Sequence, residues 1–409
     1  MMDNIFHLNT EQLKDVAAAL QTKISEGLKE DGREIKAIPT YINPKTDIDN
    51  KKALVLDLGG TNFRATVVEF KNGKTIVYPG TKKNLEALMK QAEGCDREVL
   101  FAELANMISS LKLEGVKHIG YCFSYPGASM LNGDAKLLHW TKGVTVKGME
   151  DEAIGVSLMD YLNKNVSGAK FTDIKVINDT VASLFSGLTD NHSQAHIGLI
   201  VGTGTNMATF FPTSKIPKLD PNYKTNGLVP INLESGNFFP PHLTVIDDKI
   251  DKYLDSMGKQ RFEKAISGMY LGRILEMVFS TDEFEQNFDA SKLTAMMSYP
   301  SMYKQKYVEV SHQIYERSAK LVAASLVGLI LVLAENNDKA ISDIRLSAEG
   351  SLFWSTDRNV RNASFISYKD RVIAELQTLL KAFGHNNISI HVEKRDEANL
   401  IGSAIAALS

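Results

Sequence analysis

Cysteine is nearly missing from this chain of 409 residues, which holds only Cys95 and Cys122. Neither lies in a cluster of Cys and His residues, so neither a disulfide framework nor a zinc site is suggested. A reducing compartment, and with it a cytoplasmic location, is expected. Charge of one sign is also lacking: 46 basic residues face 49 acidic ones, for a net charge of -3. That balance gives no basic field for nucleic acid or an acidic membrane surface, and neither is expected as a partner. The opening MMDNIFHLNTEQLKDVAAAL has no basic flank before an apolar core, so it does not read as a secretory signal. The most apolar run, Leu321 to Ala334, has 14 residues, short of the ~20 that span a bilayer, and reads as a buried core helix. Two nucleotide signatures, GxxxxGK[ST] and GxGxxG, are absent as well. Small-molecule chemistry remains, and any nucleotide must be held without those loops.

The length exceeds what one hydrophobic core usually serves, so two domains, or one lobed unit with a cleft, are expected. From Glu11 to Gly32 the spacing of Leu13, Val16, Leu20, Ile24 and Leu28 predicts an amphipathic helix, with Asn9 or Thr10 as its cap. ALVLDLGGTNFRATVVEFKNGKTIVY predicts two strands hinged at Gly59-Gly60 and a third after Asn72-Gly73. Residues 98 to 111 read as a helix, HIGYCFSY and KFTDIKVIN as strands, and VASLFSGL as helical again. AHIGLIVGTGTNMATFF then repeats the earlier pattern: Gly60-Thr61-Asn62 and Ala65-Thr66 correspond to Gly204-Thr205-Asn206 and Ala208-Thr209. The pattern is helical from Glu263 to about Glu335, IRLSAEGSLFW reads as a strand, and a helix runs from Glu397. Mixed order and duplicated hairpins predict an α/β protein of two similar lobes.

Two glycine turns, Asp57-Leu-Gly-Gly-Thr-Asn62 and Gly202-Thr-Gly-Thr-Asn206, present backbone N–H groups and hydroxyls suited to phosphate oxygens. Either alone reads more simply as a tight turn between strands; two related copies suit opposed phosphate clamps. Asp57, ending its strand, either orients a metal-bound water or starts the turn. Asn178-Asp179-Thr180 lies where a strand meets a helix; Asp and Thr are good N-caps there, but a carboxylate at such a strand end also suits a general base. Ser124-Tyr-Pro-Gly127 and Trp140-Thr-Lys-Gly143 put hydroxyls, an amine and a large ring on loops. Singly, Lys142 reads as a solvated lysine and Trp140 as a packing residue. Asn232-Leu-Glu-Ser-Gly236 and Glu263 carry no signal alone.

In order and spacing, LDLGGTNFR, FSYP, LLHWTKG, VINDTVASL, GLIVGTGTNM, INLESGNF and FEKAISGMYLG together resemble the hexokinase family, from about Leu54 to Gly272, with a weaker echo in SAEGSLFW. The resemblance implies a two-lobed actin-like ATPase (ribonuclease H-like) fold with duplicated β-hairpin phosphate motifs. It implies a smaller lobe of residues 51–178 with 396–409 and a larger one of 1–50 with 179–395. The implied reaction is ATP-dependent phosphorylation of a hexose, glucose foremost and mannose or fructose also, at the 6-hydroxyl, as the first step of glycolysis. Carried over residue by residue, Asp179 becomes the general base, and Lys142, with Thr141, reaches the sugar and the transferring phosphoryl group. Ser124, Thr141, Lys142, Asn178, Asp179, Asn206 and Glu234 would hold the hexose. Asp57, Gly59, Gly60, Thr61, Asn62 and Arg64 would serve the ATP phosphates from one lobe, and Gly202, Thr203 and Gly204 from the other. Mg2+ would sit near Asp57, bound through water.

Three departures qualify the resemblance. Arg273 stands where the family pattern after SGxYLG has a sugar-binding Glu, which places a cation near the anomeric end of the sugar; Glu276 on the same helical face substitutes for that Glu or pairs with Arg273. Asp-Gly-Ser-Gly near the C-terminus becomes Asp396-Glu-Ala-Asn399, which leaves nucleotide preference open. The chain is also shorter than a usual hexokinase unit. Bacterial sugar kinases of the repressor-related group share the fold but carry a Cys-rich zinc motif that two distant cysteines cannot make. A non-catalytic sugar sensor is the other reading, opposed by the presence of Asp179 and Lys142. A chaperone-like ATPase leaves FSYP and WTKG without a role. Neither the preferred hexose nor the oligomeric state follows from the sequence.

Overall fold

The computed structural model describes residues 4–45, 47–141, 143–189, 193–223, 227–254, 256–284, 288–337, 340–356 and 367–409. Helix α1 (Thr10–Lys29) starts on a capping box in which Asn9 and Gln12 exchange side-chain and backbone hydrogen bonds. Its predicted stripe is buried, and it stops three residues earlier than expected because Glu30 turns extended, at φ -153°.

The first sheet is built from β1 (Lys51–Gly59), β2 (Asn62–Lys71), β3 (Lys74–Val77), β4 (Thr81–Asn84), β5 (His118–Phe123) and β6 (Asp173–Ile177). Strand order is β6-β5-β1-β2-β3, with β4 pairing the start of β2; β6, β5 and β1 are parallel, and β2 runs against β1. Helices α2 (Arg97–Ile108) and α3 (Ile154–Asn165) cover the outer face, where Leu54, Leu56 and Leu58 of β1 meet Leu100, Leu104 and Leu158. Ala53 and Val55, on the alternate face, turn toward the molecule's centre. β1 is therefore apolar on both faces, as a central, doubly covered strand must be.

After α4 (Asp179–Ser186) the plan repeats. β7 (Ala195–Val201), β8 (Thr205–Pro212) and β9 (Leu228–Asn232) form a meander, followed by α5 (Arg261–Ile266), α6 (Gly268–Val278) and the long α7 (Gln305–Asn336). β10 (Asp343–Glu349), α8 (Tyr368–Ala382), β11 (Ser389–Glu393) and α9 (Ala398–Ala407) complete the chain. The second sheet has the order β11-β10-β7-β8-β9, again with three parallel strands and then two antiparallel ones, and the short Ile38–Pro39 strand adds to β9. The duplication read from two hairpins thus extends to whole sheets.

α4 and α9 lie between the sheets and cross over. α4 leaves the first sheet and packs on β7 and β8, whereas α9 leaves the second and packs on β1, β5 and β6. Glycines allow that closeness: a Cβ on Gly120 would lie 2.0 Å from the Ser403 carbonyl oxygen, and one on Gly402 1.9 Å from that of Ala182. The apolar run at Leu321 is the middle of α7, 32 residues long. By length and composition α7 could cross a membrane, but 83% of its most apolar window is buried inside the fold, against α1, α8 and the second sheet. The strand expected over IRLSAEGSLFW ends at Glu349, because Gly350 adopts φ +109° with the Val201 backbone packed where a side chain would stand.

Candidate active site

β1 and β2 bring the first set of predicted residues together. Asp57, at the end of β1, is 5% exposed, and its Oδ2 accepts from Arg64 Nε at 3.1 Å and Nη2 at 2.6 Å. Burial pushes the Asp57 carboxyl above the usual range against the pull of the guanidinium. Its Oδ1 is buried without a hydrogen-bond partner. Arg64 also donates, through Nη1, to Glu397 Oε2 at 3.0 Å, so this cation already bridges two carboxylates. The turn closes with Gly59 opposite Asn62; Gly60 holds φ +60° with nothing within 4 Å of where a Cβ would lie. A Cβ on Gly59 would lie 4.0 Å from Ser124 Oγ, so the phosphate turn and the FSYP loop are neighbours. Thr61 is partly exposed and Asn62 exposed.

Ser124 Oγ donates to Asp179 Oδ2 at 3.2 Å. Asp179 is the first residue of α4, and its Oδ1 accepts from the Thr180 N–H at 2.8 Å; Asn178 caps the helix by accepting from the same N–H at 2.9 Å. Capping and presentation of a carboxylate therefore coexist, the first assigned to Asn178 and the second to Asp179. Thr141 lies on the loop after Trp140 and accepts from the Val144 N–H. Lys142, expected as the mobile cation, lies outside the described residues.

On the second lobe, the Gly202 and Thr203 carbonyls accept from the Gly268 and Met269 N–H groups, at 2.7 and 3.3 Å. The start of α6 thereby fixes the turn that presents Thr203 and Gly204. Glu263 Oε2 accepts from the Thr205 N–H at 3.0 Å, wedged so closely that a Cβ on Gly204 would stand 2.6 Å from it. Asn206 donates to Asn232 Oδ1 at 2.7 Å, and Asn232 donates to Glu234 Oε1 at 2.8 Å. Asn206 Oδ1 also accepts from the Ser235 N–H at 3.1 Å, so the β8 end and the INLESG loop form one polar unit. Glu234 is held at φ +55°, a strained position that commonly accompanies function.

Two family models, both described as hexokinase, match residues 1–188 and 196–304. The chain belongs to the hexokinase family. Hexokinase-2 of Rattus norvegicus is 31% identical over 285 residues, covering 66% of this chain and 30% of the rat protein. Hexokinase-2 of Oryza sativa is 29% identical over 335 residues, covering 78% of this chain and 67% of the rice protein. The match thus spans under a third of the rat relative and about two thirds of the rice one. Among solved structures, a Schistosoma mansoni hexokinase complexed with glucose has a TM-score of 0.77 at 23% identity, covering 99% of this chain and 96% of its own. A ROK-family glucokinase from Streptomyces griseus, in complex with glucose and AMPPNP, has a TM-score of 0.51 at 17% identity, covering 87% and 99%. These likenesses show the two-lobed fold of the actin-like ATPases.

The Arg273 departure from the hexokinase pattern lies on α6. Arg273 is exposed on α6 and lines two surface cavities, of about 370 and 580 Å³, whose walls include none of Ser124, Asn178, Asp179, Asn206 or Glu234. Burial raises the Glu276 carboxyl, against the pull of the Arg273 guanidinium on the same helix. The carboxylate that this segment brings to the second hairpin is Glu263, ten residues earlier, together with Asn232; neither stood out in sequence. The larger cavity is walled by Thr203, Met269, Ser351 and Trp354, next to the second glycine turn. At the end of β10, burial pushes Glu349 up to about 7.

Among the described residues no group of three or more His, Cys, Asp or Glu side chains is placed to hold a metal. The unpartnered Asp57 Oδ1 fits the alternative, a hydrated magnesium carried in by phosphates and anchored through water.

Proposed function

We propose that the chain transfers the γ-phosphoryl group of ATP to the 6-hydroxyl of a hexose, glucose foremost and mannose or fructose after it, as the entry step of glycolysis in the cytoplasm. The observation that carries this reading is the Asp179 carboxylate, presented at the start of α4 and bonded to Ser124 beside the first phosphate turn. Its Oδ1 is occupied by the α4 backbone, while its Oδ2 meets a hydroxyl, the kind of partner a sugar hydroxyl can replace.

In this reading O6 of the hexose passes its proton to Asp179 and attacks the γ-phosphorus in line. A new P–O bond forms as the bond to the β,γ-bridging oxygen breaks, and ADP leaves with that electron pair. Such transfer needs positioning and charge neutralisation more than covalent help. Those tasks fall to Lys142, to Arg64, and to the turns at Gly59–Asn62 and Gly202–Gly204. Magnesium held through a water on Asp57 would neutralise phosphate charge. Ser124, Thr141, Asn178, Asn206 and Glu234, joined by Asn232, supply the mixed donors and acceptors that a polyol requires. The hexokinase names of the relatives support the same reaction.

A coupled ADP-release assay over a panel of hexoses, on wild type and Asp179→Asn, tests the proposal. ATP-dependent turnover of at least one hexose is expected, with a loss of about 10²–10⁴-fold in the variant and hexose binding retained. Sugar binding without turnover in the wild type would leave a sensor, and near-normal turnover in the variant would remove Asp179 from the mechanism.

A further inference from the structure

Tyr125 is 5% exposed, and its hydroxyl is directed at the phosphate turn: it donates to the carbonyl of Gly60. Its chain neighbour Ser124 bonds Asp179 through Oγ, and the Ser124 N–H donates to the Leu58 carbonyl at 3.2 Å. The Tyr125 ring stands edge-on to Trp140 at 4.7 Å and tilted against Phe123 at 5.2 Å. Trp140 is itself pinned, donating through Nε1 to the Val146 carbonyl at 2.9 Å and through its N–H to Glu150 at 2.8 Å, and Thr141 follows it directly. One buried ring therefore meets the FSYP segment beside the base, the loop leading to Thr141, and the tip of the first glycine turn. The Gly60 tip has open space where a side chain would be, so its placement depends on backbone bonds such as this one.

Resting on the hexose-kinase reading, we propose that Tyr125 is a positioning residue that couples hexose occupancy to the geometry of the first phosphate turn. A sugar engaging Ser124 and Asp179 orders residues 124–125. The Tyr125–Gly60 bond carries that order to the turn, so ATP phosphates meet donors already in place. Linkage requires the effect to be reciprocal: whatever factor the hexose gives to nucleotide affinity, the nucleotide gives back to hexose affinity.

Tyr125→Phe keeps the ring packing and removes only the hydroxyl. Dissociation constants for AMPPNP with Mg2+ are measured calorimetrically on the full chain, with and without saturating glucose, in wild type and variant. In wild type glucose is expected to tighten AMPPNP by about fivefold or more, and in the variant by less than about twofold, the loss expected for one hydrogen bond. KM for ATP at saturating glucose and KM for glucose at saturating ATP should rise by the same factor in the variant, with kcat moving by no more than about twofold. Simple loosening of the core would instead lower kcat and weaken AMPPNP binding in the absence of glucose as well. A wild-type coupling factor retained in Tyr125→Phe, or absent from wild type, overturns the proposal. ADP release by the same wild-type preparation separates this outcome from failure of the kinase reading, which would abolish turnover altogether.

Discussion

Removing the charge of Glu397 is expected to tighten ATP binding. Its carboxylate sits 3.0 Å from Arg64 Nη1, while Asp57 holds the other side of the guanidinium, so a triphosphate seeking Arg64 must displace Glu397 or lie beside it. With side-chain exposures of 32% for Arg64 and 44% for Glu397, breaking the pair costs about 0–1 kcal/mol. A phosphate oxygen about 4 Å from a retained carboxylate adds ~1 kcal/mol of repulsion per unit charge in bulk water and more where solvent is thinner. Together these give about 1–2 kcal/mol, or roughly 5- to 30-fold in nucleotide affinity. Glu397→Gln should therefore lower the Kd for AMPPNP and the KM for ATP by that factor, with kcat within about threefold and the gain shrinking as salt screens the charges. Glu397→Gly adds a second readout, because the native φ of +62° costs a side-chain-bearing residue roughly 1 kcal/mol that glycine avoids. Nucleotide affinity that is unchanged or weaker in Glu397→Gln at low salt would refute the competition and leave Arg64 as a structural partner of two carboxylates.

Two further outcomes concern charges that the sequence did not mark or left between two settings. Burial raises the Glu349 carboxyl from 4.5 to about 7, so the stability it contributes is fully present below 4.5 and lost as pH rises through 7. Glu349→Gln should accordingly gain on wild type in thermal melts between pH 5 and 8 by on the order of 1–2 kcal/mol, allowing for the group's partial exposure; a pH-independent difference would contradict this. Arg273→Glu should leave the kcat/KM ratios among glucose, mannose and fructose unchanged and lower stability by about 0–1 kcal/mol, since it replaces an attraction toward Glu276 with a repulsion. Altered sugar ratios would restore Arg273 to the cleft.

What could be read in advance was what is local. Glycine turns between β-branched runs announce hairpins, and the repetition of Gly-Thr-Asn announced that there were two, because turn chemistry and alternation are encoded within a few residues. Asp179 was legible for the same reason, since a strand end followed by a helix cap fixes its surroundings. Glu263 was not: it sits on the six-residue α5, and its place under the second turn depends on Gly204 and Gly236 leaving it room, across distances no local pattern records. Arg273 was left between the cleft and Glu276 because spacing along a helix gives a face but not the neighbour that face meets. Tyr125, Glu349 and Glu397 acquire their surroundings from strands and turns far away in the chain, and the crossing of α4 and α9 is likewise a tertiary fact.

That crossing has a consequence for synthesis. The inner face of the first sheet, with Ala53, Val55, Cys122 and Ile177, shares its core with Leu400, Ile401, Ala404 and Ile405 of α9. β6 leaves the ribosome roughly 220 residues before α9 does, about 10–45 s at an elongation rate of about 5–20 residues per second. Throughout that interval the emerging lobe presents an apolar sheet face that α4 alone can partly shelter, a surface suited to chaperone capture. The first lobe is thus kept from completion until α9 has been translated.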